Sequence, residues 1–304
     1  MFSPNLVADS SGKVRSAFTI GDNLSAGVVK LRVESVSDPL LYDEADFTVA
    51  PAEGIMSLRY SSPTFRIFSD FMKDISWFFP YIERVYAQLK EKLGHEPSQH
   101  LPIKCTIKKG PEGGIGGWTA MGEMGVKAGD FTRNRWCLVI SAQELVNLFT
   151  GSVTSGWPTD WWANHRSPFP IMVAVEIVRD LGYLQEASDY DLDFQKDPLY
   201  MWHKNLKVSH GWDVYRNMLS AMKMDQIRLD QVGENPSPTL TNYVLAYMKI
   251  GTPTFRPQLA ERTIPGVDSR IVEDIARVRQ KLGVVPSTDS RWREYLSGNY
   301  RQLL

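Results

Sequence analysis

Hydrophobic and polar positions alternate along the first fifty residues in a pattern that is typical of β-strands. Three segments, KVRSAFTI, GVVKLRVESV and DEADFTVA, are rich in β-branched and aromatic residues. GDNLSAG, between the first two, supplies the glycine and asparagine residues of a turn. We therefore predict a β-rich module over residues 1–52, which ends in the short linker APAEG.

The period changes to that of a helix between Asp70 and Leu93. The apolar residues of one helical face are Ile82, Val85, Leu89 and Leu93. Pro80 predicts a kink or a new start within this helix. Gly94 predicts its end, because glycine readily adopts the left-handed conformation that closes many helices.

A glycine-rich stretch, PEGGIGGWTAMGEMGVKAG, follows the predicted strand LPIKCTIKKG. It lacks the Gly-Lys-Ser/Thr ending of a phosphate-binding loop, so we predict a twisted edge strand with glycines at close approaches. NRWCLVIS is predicted to be a further strand, which places Cys105 and Cys137 in strands as small buried side chains. A disulfide between them remains an alternative if those strands are neighbours.

The second half of the chain is predicted to be mostly helical. A helix begins at Pro168 and stops at Gly182, and a later helix is capped by Asp268 or Ser269. The acidic stretch 188–197 lacks the glycine and terminal glutamate of an EF-hand loop, and indicates a solvated acidic turn. These patterns predict an α+β chain whose β module is followed by an α+β subdomain over 53–165 and a helical subdomain over 166–304.

Composition excludes several classes of protein. Hydrophobic residues make up 43% and charged residues 23% of the 304 residues, as in soluble globular proteins. The formal net charge of -1 gives no reason to expect a nucleic-acid partner. No apolar stretch reaches the roughly 18 residues of a transmembrane helix. The N-terminal segment MFSPNLVADSSGK also lacks the basic and apolar regions of a secretion signal.

The candidate chemistry is concentrated between Ser141 and Pro170. QELVN, residues 143–147, places a carboxylate on a short apolar helix, and the tryptophan-rich spacer that follows ends in WWANHR, residues 161–166. This combination resembles the gluzincin metallopeptidases, in particular the aminopeptidase N and thermolysin-like group. In those enzymes a helix carries HExxH, two histidines on one helical face bind zinc, and the glutamate activates the zinc-bound water.

The resemblance assigns a role to each position of this segment. Glu144 corresponds to the water-activating glutamate, and Gln143 and Asn147 correspond to the two zinc-binding histidines. Trp162 to Arg166 correspond to a WLNEG-like segment, so that His165 falls on the third zinc ligand of the family. TAMGEMG corresponds to the substrate-binding edge strand of the aminopeptidases. The resemblance implies a zincin-like mixed sheet within residues 53–165.

The departures from the family predict loss of catalysis. Carboxamides are weak, neutral zinc ligands, and the amide nitrogens of Gln143 and Asn147 carry no basic lone pair. We therefore predict a protein without a metal cofactor, a catalytically degenerate metallopeptidase-like module for binding or assembly. Its predicted binding residues are those around the former zinc site: Gln143, Asn147, Trp161, Trp162, His165 and Arg166.

Other interpretations of these residues remain open. Ser141 and Glu144 have the S-x-x-E spacing of a capping box, which needs no catalytic role. An active hydrolase would use Glu144 with His165 and a metal such as zinc held by other ligands. A carbohydrate-binding or structural surface protein would use Trp161 and Trp162. A second HExxH-like segment, centred on Glu176, is interpreted as a surface charge beside Arg179.

The partner and the location are predicted from resemblance only. The N-terminal strands resemble the last three strands of an immunoglobulin-like domain of the kind found on surface proteins. This resemblance predicts an extracellular or cell-surface location and a protein or glycan partner.

Overall fold

The computed structural model describes residues 27–34, 42–49, 56–120, 122–154, 168–224, 240–283, 291, 294–295 and 300–303. Within these residues the chain has an α+β architecture with a five-stranded mixed sheet and several helices. This confirms the predicted α+β class. The predicted boundaries at 52/53 and 165/166 both lie outside the described residues.

Two strands form a separate antiparallel pair near the N-terminus. β1 (Gly27–Glu34) pairs with β2 (Tyr42–Val49), and this register sets Lys30 opposite Asp46 and Arg32 opposite Glu44. The first predicted strand, KVRSAFTI, lies outside the described residues, so an immunoglobulin-like arrangement remains a prediction.

Five strands build the larger sheet in the order β3-β4-β5-β7-β6. Their bounds are β3 (Ser57–Ser61), β4 (Phe65–Ser69), β5 (Ile103–Lys109), β6 (Ile115–Ala120) and β7 (Glu123–Ala128). β4, β5 and β7 run parallel, whereas β3 and β6 are antiparallel to their neighbours. β6 is therefore an edge strand of the sheet, as predicted for the first part of the glycine-rich stretch. The second part of that stretch forms β7, which lies between β5 and β6, so the prediction of a single edge strand is wrong there.

The described helices follow and interrupt this sheet. Their bounds are α1 (Phe78–Leu93), α2 (Arg135–Thr154), α3 (Pro168–Asp180), α4 (Leu184–Phe194), α5 (Pro198–His210), α6 (Asp213–Met224), α7 (Leu240–Gly251), α8 (Pro257–Glu261) and α9 (Ser269–Leu282). None of the described helices is long and apolar enough to cross a membrane.

Local chemistry explains where α1 and α9 begin and end. Pro80 lies in the first turn of α1, which begins at Phe78 rather than near Asp70, since proline fits a first turn but not a helix interior. Gly94 ends α1 with a left-handed φ of 71°. The Asp268 carboxylate caps α9 by accepting from the backbone N–H groups of Arg270 and Ile271. The predicted stop of α1 and the predicted cap of α9 are confirmed.

The predicted strand NRWCLVIS is wrong, because this segment opens α2. α2 is apolar on nearly every side, and its residues Cys137, Leu138 and Val139 are wholly buried. A helix buried on all faces has no polar stripe, so its apolar run cannot be told from a buried strand by periodicity. Cys137 therefore lies in a helix, while Cys105 lies in β5 as predicted. Both are buried free thiols.

One continuous apolar core joins the sheet to the helices. α1 packs on the inner face of the sheet through Tyr60, which stacks on Phe79, and through Phe65, which meets Tyr86 edge to face. α2 packs on the same side, against β6 and β7, and α3 packs against α2. This arrangement holds α2 beneath the edge strand β6.

Candidate functional site

β6 carries a row of backbone groups that face away from the sheet. The Gly129 N–H donates to the Gly114 carbonyl at 2.9 Å, and the next pair in the register is Ile115 with Ala128. Hydrogen-bonded and non-hydrogen-bonded pairs alternate in an antiparallel ladder. The N–H and C=O groups of Ile115, Gly117 and Thr119 therefore face the side of β6 on which no other described strand pairs, which we call the free edge.

Glu144 lies on α2 directly beneath this edge strand. Its side-chain oxygen Oε2 accepts a hydrogen bond from the Thr119 hydroxyl at 2.8 Å, and the same hydroxyl lies 2.8 Å from the Glu144 backbone carbonyl. The Asn147 amide nitrogen Nδ2 donates to the same carboxylate oxygen at 3.1 Å. Strand and helix therefore meet at the carboxylate that the sequence singled out.

Gly117 makes this close approach possible. A Cβ atom at position 117 would lie 2.4 Å from Cγ and 2.5 Å from Oε1 of Glu144, closer than such atoms can approach. Any side chain here would push α2 away from β6 or displace the carboxylate. The predicted glycine at a close approach is thus confirmed, and its contact is the candidate catalytic residue itself.

Burial dominates the electrostatics of Glu144. Only 5% of the residue is exposed, and removal from water raises the pKa of its carboxyl, while the hydrogen bonds from Thr119 and Asn147 act in the opposite direction. Glu144 forms no ion pair with any residue that the structure describes. The carboxylate is therefore held by neutral donors alone.

The side chain of Asn147 has an unsatisfied hydrogen-bond acceptor. With its Nδ2 turned to Glu144, the carbonyl oxygen Oδ1 is buried without a hydrogen-bond partner among the described residues. Buried polar atoms are rarely left in this state, since each costs about 1–3 kcal/mol. Gln143, one turn earlier on α2, is partly exposed.

The residues present do not fit the zinc centre that the resemblance implies. Asn147 turns an amide N–H toward Glu144, so its nitrogen is a donor there and not a ligand. Gln143 is a second carboxamide. Within the described parts of the chain, no three His, Cys, Asp or Glu side chains converge in an arrangement that could hold a metal ion. Absence of a metal cofactor remains a prediction.

The capping-box interpretation of Ser141 and Glu144 is wrong. α2 begins at Arg135, so Ser141 lies inside the helix and its hydroxyl donates to the Cys137 carbonyl at 2.6 Å. The S-x-x-E spacing arises here because Ser141 and Glu144 are two buried polar residues of α2. The remaining predicted binding residues, Trp161, Trp162, His165 and Arg166, lie outside the described residues.

The rival segment around Glu176 is a buried charge network, so its interpretation as a surface charge is wrong. Glu176 on α3 is 7% exposed and forms ion pairs with Arg179 and, at 2.6 Å, with Lys207 of α5. Asp191 of α4 continues the network, at 2.6 Å from Lys204 and 3.4 Å from Arg179. The acidic stretch 188–197 is accordingly mostly helix, not a solvated turn. The predicted pairing of Glu176 with Arg179 is confirmed.

Sequence reasoning missed two residues that shape the site. Thr119 and Gly117 are 25 and 27 positions before Glu144, and no local pattern links them to α2. The available signal was the Gly-Gly pair of a predicted edge strand, where a missing side chain indicates a close neighbour.

Comparisons with protein-family models, with curated proteins and with solved structures gave no match for this chain.

Proposed function

We propose that the protein is a catalytically degenerate, zincin-like binding module that captures an extended polypeptide segment along the free edge of β6, above Glu144. The observation that carries the proposal is the contact between Glu144 and the edge strand through Thr119 and Gly117.

The exposed edge supports an extended ligand. Three alternate residues, Ile115, Gly117 and Thr119, turn both backbone groups outward, and an extended chain can pair with such a row as an added strand. Unpaired edges also attract other chains without specificity. Selectivity therefore has to come from side chains near β6, and one such group is the floor that Glu144 and Asn147 form beneath the strand.

The floor offers acceptors to that ligand. The Glu144 carboxylate has no cationic partner among the described residues, and Asn147 has an unused carbonyl oxygen. Both acceptors are buried in the free protein, so a ligand has to displace the groups that cover them before it can donate an N–H or O–H to either one. Their satisfaction would recover desolvation costs that the free protein carries.

The same geometry supports the proposed relation to metallopeptidases and the proposed loss of catalysis. In that family an edge strand binds substrate beside the helix that bears the water-activating glutamate, and here β6 and α2 meet at Glu144. Of the TAMGEMG segment, however, only Thr119 and Ala120 lie in β6, and Glu123 begins β7. Carboxamides at positions 143 and 147 remove the ligands that zinc requires. The proposed role is therefore binding without hydrolysis. A cell-surface location and a glycan ligand for Trp161 and Trp162 remain predictions.

The test is binding of a neutral extended peptide to the full chain. The probe is a fluorescein-labelled, N-acetylated octapeptide of alternating threonine and glutamine, measured by fluorescence anisotropy. Ile115→Pro removes one outward N–H without breaking the β6–β7 ladder. We expect at least a tenfold loss of affinity, about 1.4 kcal/mol.

Ile115→Val is the matched control, because it shortens the same side chain and keeps the N–H. It should retain wild-type affinity. Circular dichroism would verify that both variants are folded. If the wild type does not bind the peptide, or if the proline and valine variants bind equally, the edge is not the binding surface.

A further inference from the structure

The sheet face opposite α1 and α2, which we call the outer face, is strongly basic. Inward residues of β5 and β7 such as Ile107 and Val126 are wholly buried, and their sequence neighbours point to the other side. The outer face carries Arg66, Lys104, Lys108, Lys127 and Trp118, with Glu123 as an acidic member. Glu123 is engaged by Lys104 at 2.9 Å.

Two of these cations lie side by side without an acidic partner. Lys108 of β5 and Lys127 of β7 are directly paired in the register, both are exposed, and neither forms an ion pair with a residue that the structure describes. Like charges in facing positions of neighbouring strands repel each other. The Lys108 ammonium lies 5.6 Å from the Trp118 ring, which gives it one favourable contact. The pair therefore lacks an anion.

The row of Lys108 and Lys127 continues to the free edge at Gly116. Gly116 is the register partner of Lys127, and a Cβ atom at position 116 would meet nothing within 4 Å. No side chain of β6 thus separates the Lys127 ammonium from the space beyond the edge. At the next outer-face position of β6, the Trp118 ring lies over Gly125. The row of Lys108, Lys127 and Gly116 is therefore bordered by Trp118 on that side.

We infer that the β6 edge selects polypeptide segments with an acidic side chain at the position facing Gly116, where Lys127 and Lys108 neutralise it. This inference rests on the proposed peptide capture and specifies its ligand. A residue added beside Gly116 would have its Cα about 10 Å from that of Lys127, two strand spacings away. A glutamate and a lysine side chain that lean toward each other over Gly116 span this gap.

An acidic peptide fits this surface better than a nucleic acid does. The cations form a short row that ends at backbone groups suited to another strand. Single-stranded nucleic acids bind instead along extended basic grooves with several stacking aromatic side chains. Among the five strands of this sheet, Trp118 of β6 is the single tryptophan. The chain as a whole has a net charge of -1.

The experiment compares two octapeptides on the full chain by fluorescence anisotropy. One alternates threonine with glutamate, and the other alternates threonine with glutamine, so that only charge differs. We expect the wild type to bind the glutamate peptide at least tenfold more tightly at low salt, with the preference shrinking as salt rises. Lys127→Gln should reduce the preference to less than threefold and leave the affinity for the glutamine peptide unchanged.

Lys196→Gln is the matched control, because Lys196 is an exposed lysine between α4 and α5 that forms no ion pair with a described residue. It should keep the full preference. Equal affinity for both peptides in the wild type, or a preference that survives Lys127→Gln, would overturn the acidic selectivity and leave peptide capture standing. If neither peptide binds, the proposed function fails and this inference fails with it. Tighter, Lys127-dependent binding of an eight-residue oligothymidylate would overturn it in favour of nucleic acid.

Discussion

Two glutamates with similar sequence surroundings are buried to a similar extent, yet their environments are opposite. Glu144 is 5% exposed and Glu176 is 7% exposed, and each lies on a helix within an HExxH-like segment. Glu176 meets the cations Arg179 and Lys207, whereas Glu144 meets the neutral donors Thr119 and Asn147. A buried carboxylate with cationic partners is a structural element. A buried carboxylate without cationic partners, such as Glu144, can still accept hydrogen bonds or a positive charge from a ligand.

The largest expected change in stability comes from neutralising Glu176, which forms ion pairs with Arg179 and Lys207. Glu176→Gln would leave Arg179 and Lys207 facing a neutral amide, which we expect to lower the free energy of unfolding by about 2–3 kcal/mol. The value falls below that of a wholly buried pair because the Arg179 and Lys207 side chains keep 28% and 27% of their surface exposed. Urea denaturation followed by circular dichroism measures it.

The control for that change is Asp213→Asn, which removes an ion pair with Arg216 on the surface. The Asp213 side chain is 69% exposed, so the change should stay within about 0.5 kcal/mol. Equal costs for the two variants would contradict the view that the Glu176 network is structural.

A smaller loss of stability is expected from a substitution at Gly117, where β6 contacts Glu144 of α2. Gly117→Ala would force a Cβ atom to within 2.4 Å of Glu144 Cγ, and we expect a loss of about 1–2 kcal/mol from the resulting overpacking. Gly116→Ala, at the next position, has open space and should be neutral. Similar thermal stabilities for the two alanine variants would show that β6 does not lie so close to α2.

The smallest expected effect has the opposite sign. Glu144→Gln keeps the shape of the side chain and removes a charge that is buried without a cation, so it should raise the free energy of unfolding at pH 7 by about 1 kcal/mol. The folded state raises the pKa of Glu144 because burial disfavours its charged form. The stability that this group contributes when protonated is fully present below the pKa of the unfolded state.

That contribution is lost as the pH rises through the raised pKa of the folded state. The advantage of Glu144→Gln over the wild type should therefore be absent below about pH 4, near the unfolded carboxyl pKa. It should then grow and reach a plateau as the pH rises. Unfolding curves across this pH range measure it, and a loss of stability at pH 7 would contradict the view that Glu144 is a destabilising buried charge.

The sequence identified those features that depend on neighbouring residues. Gly94 ends α1 and Asp268 caps α9 through contacts within a few positions, and both were predictable. Cys137 and Ser141 were misplaced because a helix buried on all sides has the composition of a strand and no polar face. Composition alone does not distinguish a fully buried helix from a buried strand.

The character of both carboxylates depends on contacts that are distant in sequence. Lys207, which neutralises Glu176, is 31 positions away, and Gly117 is 27 positions from Glu144. Glu144 could be chosen from its motif, but its lack of a cation could not be foreseen. The difference between the two sites therefore became visible only with the fold.

Residue-resolved amide hydrogen exchange on β6, measured by NMR, tests capture of an extended chain most directly. Saturation with the threonine–glutamate octapeptide should slow exchange at Ile115, Gly117 and Thr119 at least tenfold, because their N–H groups face the free edge. Gly116, Trp118 and Ala120, which already bond to β7, should change little. Protection that is uniform along β6, or no protection at the three outward amides, would contradict the account.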